Sequence, residues 1–165
     1  MDSIVNFYNN SLGSWLPKEV FVFLVSMLPL IELRGGVPIA YALKIPVVQA
    51  NIICILGNIL PIPFILLFIK AVFRFMKKHN IMKRFVEWLE DRAEKKSEGK
   101  KKGEFLFLLL FVGIPIPGTG AWTGALIASL FDFDIKKASL AIFLGVLLAA
   151  LIMNPVSALF VKVFG

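Results

Sequence analysis

Two apolar stretches of this chain are each interrupted at mid-length by prolines and glycines, a pattern poorly suited to one straight helix. The first is Pro29-Leu30-Ile31-Glu32-Leu33-Arg34-Gly35-Gly36-Val37-Pro38, where a carboxylate and a guanidinium also sit inside apolar sequence. The second is Ile114-Pro115-Ile116-Pro117-Gly118-Thr119-Gly120-Ala121-Trp122-Thr123-Gly124. The apolar run from Val20 to Ile31 is about half of the ~20 residues that a helix needs to cross hydrocarbon. The piece from Val37 to Leu43 is shorter still, and the pieces Phe105 to Ile114 and Ala121 to Phe131 repeat the arrangement. Proline removes a backbone donor and disfavours helix at the residue before it. Gly35-Gly36 weakens a helix running through, and Pro38 suits the first turn of a new helix beginning after Gly36. Each break therefore predicts two short helices joined by a loop.

Two longer runs follow the breaks. Residues 45–73 and 135–163 are apolar over a length sufficient to span, with Pro61, Pro63 and Asn154-Pro155 as expected kinks. Composition agrees: 58% of the 165 residues are hydrophobic, against about 45–50% in a soluble domain. The excess is concentrated in blocks, as in lipid-facing segments. The lone Cys54 excludes a disulfide framework, and the single His79 with no Cys/His cluster leaves no zinc site; no metal and no cofactor is expected. Asp2 is the only early charge, so the first residues do not resemble a basic signal peptide. Phe7, Tyr8 and Trp15 predict a short interfacial helix within 1–19.

Residues 74–103 form the one hydrophilic linker, rich in lysine and arginine. Ile81, Phe85, Trp88 and Leu89 recur at helical spacing, which predicts an amphipathic helix on the membrane surface. The basic residues place the linker in the cytoplasm and suit anionic lipid headgroups rather than nucleic acid.

The order is thus short pair, long helix, linker, short pair, long helix. Pro29 and Ala42 match Pro115 and Ala128 at one offset, and Gly57 matches Gly145 at nearly the same one. The predicted fold class is an all-α integral membrane protein of two inverted repeats, each a re-entrant helical hairpin followed by a full transmembrane helix. It forms a single membrane domain, 1–165, with hairpins at 20–43 and 104–131 and the termini on the outer side. Four plain spans with cytoplasmic termini explain the hydropathy equally well. The breaker density favours hairpins, because non-helical backbone at membrane depth requires shelter by protein or water.

The two break motifs, Glu32 to Pro38 and Ile114 to Gly124, resemble the small multidrug export protein family, and the resemblance covers nearly the whole chain. The layout also resembles the DedA superfamily, whose facing hairpins are implicated in moving lipid phosphates between leaflets, with proton coupling proposed. That resemblance implies roles for acidic and arginine residues in the hairpins. Glu32 and Arg34 match in the first; the second offers only Thr119 and Thr123.

An ionisable group inside a membrane is costly and marks a functional site by default. Glu32 is the candidate proton carrier, and Arg34 is the candidate partner of an anionic headgroup, since its planar fork can bond two oxygens. The two are expected near each other, each favouring the other's charge. A structural ion pair is the blander reading. Gly35, Gly36, Pro38, Pro115, Pro117, Gly118, Thr119, Gly120 and Thr123 would shape the site. Helix N-termini after Gly36 and Gly120 would point positive ends inward. Asn58 and Asn154 would line the cavity or bond neighbouring helices. These readings predict a small transporter for an anionic amphiphile or another small hydrophobic compound, coupled to protons. The alternatives are an exporter of hydrophobic cations and a non-transporting membrane scaffold. No catalytic constellation supports an enzyme. So few spans make a homodimer plausible.

Overall fold

A computed structural model describes residues 2–13, 15–69, 103–116, 118–131 and 133–164. All regular structure among them is helical. Helix α1 spans Asp2–Phe7 and continues as a wider turn over Tyr8–Leu12. Helices α2 (Lys18–Met27) and α3 (Glu32–Ala42) flank the first break. Helix α4 (Val47–Ile59) is interrupted at Leu60-Pro61 and resumes as α5 over 62–69. Helices α6 (Glu104–Gly113) and α7 (Ala121–Leu130) flank the second break, and α8 runs without interruption over Ile135–Phe164. The expected linker helix lies outside the described residues.

The same local physics ends α2 and α6. Leu28 precedes Pro29 and takes extended backbone, with ψ at 134°. Ile114 precedes Pro115 and does likewise, with ψ at 120°. A proline ring excludes the helical conformation at the residue before it, so both helices stop there. Each short helix is about 15 Å long at 1.5 Å per residue, roughly half the ~30 Å of bilayer hydrocarbon. The pieces 47–69 and 135–163 are long and apolar enough to cross a membrane. They turn Ile52, Leu56, Leu144 and Leu151 outward.

At each break the chain folds back on itself. A Cβ at Gly36 would overlap the Ser26 hydroxyl and approach Cys54 Sγ to 3.1 Å; one at Gly57 would lie 2.6 Å from the Phe23 carbonyl oxygen. The second half reproduces these contacts. A Cβ at Gly124 would lie 2.7 Å from Val112 and 3.8 Å from Ile142, and one at Gly145 would lie 2.9 Å from the Leu109 carbonyl oxygen. Ser26 and Val112, Phe23 and Leu109, Gly36 and Gly124, Cys54 and Ile142, Gly57 and Gly145 stand in corresponding places. Glycine at the crossings lets backbones approach closely, which is how helices associate in lipid.

Three local expectations are corrected. Helix α3 starts at Glu32, not after Gly36, so Gly35 and Gly36 lie within its second turn and serve packing rather than breaking. Pro38 lies inside α3, not in its first turn, and costs it one ladder bond. The anticipated kink of the long helix at Pro61 is an interruption at Leu60-Pro61, whereas Pro155 is accommodated within α8. At the far end of α3, the Lys18 ammonium donates to the Leu43 and Lys44 carbonyls at 3.4 and 3.5 Å.

Candidate functional site

The first break delivers both of its charges to the second. Glu32 opens α3 with φ at +52°, a left-handed conformation unusual for a residue with a side chain. Its carboxylate accepts hydrogen bonds from the backbone N–H of Ala121 at 3.2 Å and of Trp122 at 3.0 Å. These are the first two residues of α7, whose N–H groups have no partner within their own helix. The carboxylate therefore caps α7 and lies at the positive end of its dipole. It is buried, 5% exposed. Gly120 leaves the space: a Cβ there would overlap the Glu32 carboxylate.

Two residues later, Arg34 does the complementary work at the other side of the same break. Its guanidinium donates to the carbonyls of Val112 at 3.2 Å and Ile114 at 3.1 Å through one nitrogen. The other nitrogen donates to Ile116 and Thr119. Val112 lies in the last turn of α6, so the cation lies at the negative end of that helix. Four carbonyls, from the end of α6 and the loop after it, thus converge on one planar fork. Arginine offers five N–H donors in fixed directions, so this engagement leaves little of its capacity free.

The expected proximity of Glu32 and Arg34 to each other is thus a side issue: each has its hydrogen-bond partners in the backbone of the opposite half. Of the other expected site residues, Thr119 donates its hydroxyl to Ile114 and Ile116, and Thr123 donates to Gly120, so both hold the loop. Gly118 takes φ at +83°, where its lack of a Cβ matters. Pro115 sets the extended entry to the loop; Pro117 lies outside the described residues. Gly35 packs on Ile31 and Gly36 on Ser26.

Asn154 and Asn58 lie apart from this cluster in kind. Asn154 accepts from the Tyr41 hydroxyl at 3.1 Å and from Asn51 at 3.0 Å, and donates to Asn51 at 2.9 Å and to Ala150 at 2.8 Å. It ties α3, α4 and α8 together. Asn58 is 3% exposed, and its Oδ1 has no hydrogen-bond partner; Ser157 Oγ is the other such atom among the described residues.

Trp122 was not among the expected site residues. Its indole N–H donates to the Met27 carbonyl at 3.1 Å, at the end of α2. It thereby serves the first break as Arg34 serves the second. No local signal distinguishes such a tryptophan from a packing one; its place just past the break, matching that of Arg34, is the only hint.

Residues 32–152 match the family described as "Putative small multi-drug export protein". No curated protein and no solved structure matches the chain. The matched segment begins at Glu32, just after the turn of the first break, and contains the second; with the two long apolar helices it places the protein in a membrane. Its description points to transport rather than to catalysis, and the chain belongs to the small multi-drug export protein family.

Proposed function

We propose that the protein is a proton-coupled membrane transporter in which the two breaks form the gate and Glu32 is the group that responds to protons. The observation that carries this reading is the buried Glu32 carboxylate holding the N-terminal N–H groups of α7. A carboxylate that loses its charge loses most of its hold on a helix N-terminus, because charge-assisted bonds are about twice as strong as neutral ones. The vacated N–H pair then suits an anion. This supports an anionic amphiphile, such as a lipid phosphate, as the cargo. Arg34 would meet that anion only by giving up carbonyls of the second break, so binding and loop opening are linked.

The fold-back of each short pair supports two re-entrant hairpins. Contacts exchanged between the halves support a two-fold relation between them. Arg34 caps α6 while Trp122 caps α2. Tyr41 bonds Asn154 of α8 while Ser129 reaches the Leu66 carbonyl of α5. Such reciprocity is the mark of an isologous interface. With one crossing per half, the repeats are inverted, a recurrent transporter plan. The basic linker then faces the cytoplasm and the termini face outward.

Export of a hydrophobic cation is the second reading, favoured by the family description. Such a cargo would pair with the Glu32 carboxylate itself. Reconstituted vesicles carrying the wild type, Glu32→Gln and Arg34→Ala separate the two. Loss of proton-dependent lipid-phosphate movement in both variants supports the first reading. Loss of cation efflux in the glutamate variant alone supports the second. Indifference of both variants overturns transport through this site.

A further inference from the structure

Resting on the proton-coupled reading, we infer that Asn58 is the acceptor that receives the O–H of Glu32 when that carboxyl is protonated. Helices α3 and α4 run antiparallel through a short turn, and their register is fixed at Gly36, whose Cβ would lie 3.1 Å from Cys54 Sγ. Glu32 stands one turn before Gly36, at the start of α3. Asn58 is one turn beyond Cys54 on the same face of α4. The chains run in opposite directions, so both steps lead toward the first break, and the two residues share a layer. At the other end, Tyr41 of α3 and Asn51 of α4 both bond Asn154 of α8.

The chemistry of the pair is complementary. An ionised carboxylate is an acceptor only, and here its two oxygens take two N–H groups. A protonated carboxyl carries a donor that α7 cannot accept. Asn58 Oδ1 is a buried acceptor with nothing bonded to it. Such orphans are rare in native structures, and each calls for an explanation. Proton uptake forms one O–H bond on Glu32, the proton coming from water. The O–H goes to Asn58, and Ala121 and Trp122 N–H are released together. The carboxyl thus has two resting places, one per protonation state, and the second break is held in only one.

Few other charges among the described residues reach this layer. Arg34 lies on α3 itself, and Cys54 is the titratable group of α4 nearest the pair. On α2, Lys18 is tied to the opposite end of α3 and Glu19 is its neighbour. Lys136, Lys137 and Lys162 stand near the two ends of α8, whose middle presents Val146, Ala149 and Ala150 to the core. On α7 the groups at the pair are backbone N–H, and α1 carries Asp2 at its start.

Infrared difference spectroscopy of the reconstituted full chain, high pH against low pH, tests this. The expected result is a protonated carboxyl C=O band that is absent in Glu32→Gln. In Asn58→Ala and Asn58→Leu the band moves to higher frequency, because its O–H has lost an acceptor, and proton-driven transport falls about tenfold. An identical band in both Asn58 variants overturns the inference while leaving the proton reading intact. Absence of any Glu32 band in the wild type overturns both. Asn58→Leu also fills the site, so a merely structural orphan would gain stability there with the band unmoved.

Discussion

Gly120 and Glu32 are in such close contact that a methyl group on Gly120 would occupy the volume of the Glu32 carboxylate. The φ of Gly120 is 163°, extended backbone that any residue can adopt, so glycine is required there for space alone. Gly120→Ala is therefore expected to expel the carboxylate from the α7 N-terminus without straining the loop. Two charge-assisted bonds would be lost, a cost of about 3–6 kcal/mol. Thermal unfolding in detergent measures it. Glu32→Gln should cost less, because the amide oxygen can keep one of the two N–H groups. Equal costs would mean that the carboxylate contributes little as a cap.

The Arg34 fork makes a different demand. Four carbonyls lie around it, and no ammonium on a flexible stem can serve them from one point. Arg34→Lys is expected to behave nearly as badly as Arg34→Ala. Amide hydrogen exchange over 112–120 is the measurement, with both variants exchanging faster than wild type by at least tenfold. Full protection in the lysine variant would show that charge alone, placed at the end of α6, suffices.

Glycines at the helix crossings give a graded prediction. At Gly57 and Gly145 a Cβ meets backbone carbonyl oxygens, of Phe23 and Leu109, which cannot rotate away. At Gly36 it meets the Ser26 hydroxyl, which can. Gly57→Ala and Gly145→Ala should each cost about 1–3 kcal/mol, and Gly36→Ala should cost less. The buried Cys54 stands in the same layer and reports on it: a thiol reagent should label Gly57→Ala faster than wild type.

How far these features could be read in advance follows from the range of the forces involved. The ends of α2 and α6 were legible because Pro29 and Pro115 act on their immediate neighbours. The two long helices were legible from unbroken apolar length. The pair of short helices at each break was legible from the spacing of breakers. Gly35-Gly36 misled, because a glycine inside a helix costs only about 1 kcal/mol, and tight packing on Ser26 outweighs that. The partners of Glu32 and Arg34 were illegible for a different reason. Both ligate backbone groups far along the chain, and every residue offers the same N–H and C=O. Only the meeting of the two breaks in space selects Ala121, Trp122 and the loop carbonyls.

Topology gives the sharpest discrimination between hairpins and plain spans. If each short pair leaves the membrane on the side it entered, the linker and Lys136 lie on one face of the bilayer. If all four apolar stretches cross, they lie on opposite faces. The helix lengths favour the former, since α6 and α7 together fold back at Val112 and Gly124 rather than extending through. A Cys54→Ser background, carrying either Glu98→Cys or Lys136→Cys, allows labelling with a membrane-impermeant thiol reagent in intact cells. Both positions are expected to resist labelling until the cells are opened, and a C-terminal tag is expected to be accessible from outside. Labelling of Lys136→Cys in intact cells, with Glu98→Cys protected, would replace the two hairpins by four crossings and take the gate away from Glu32 and Arg34.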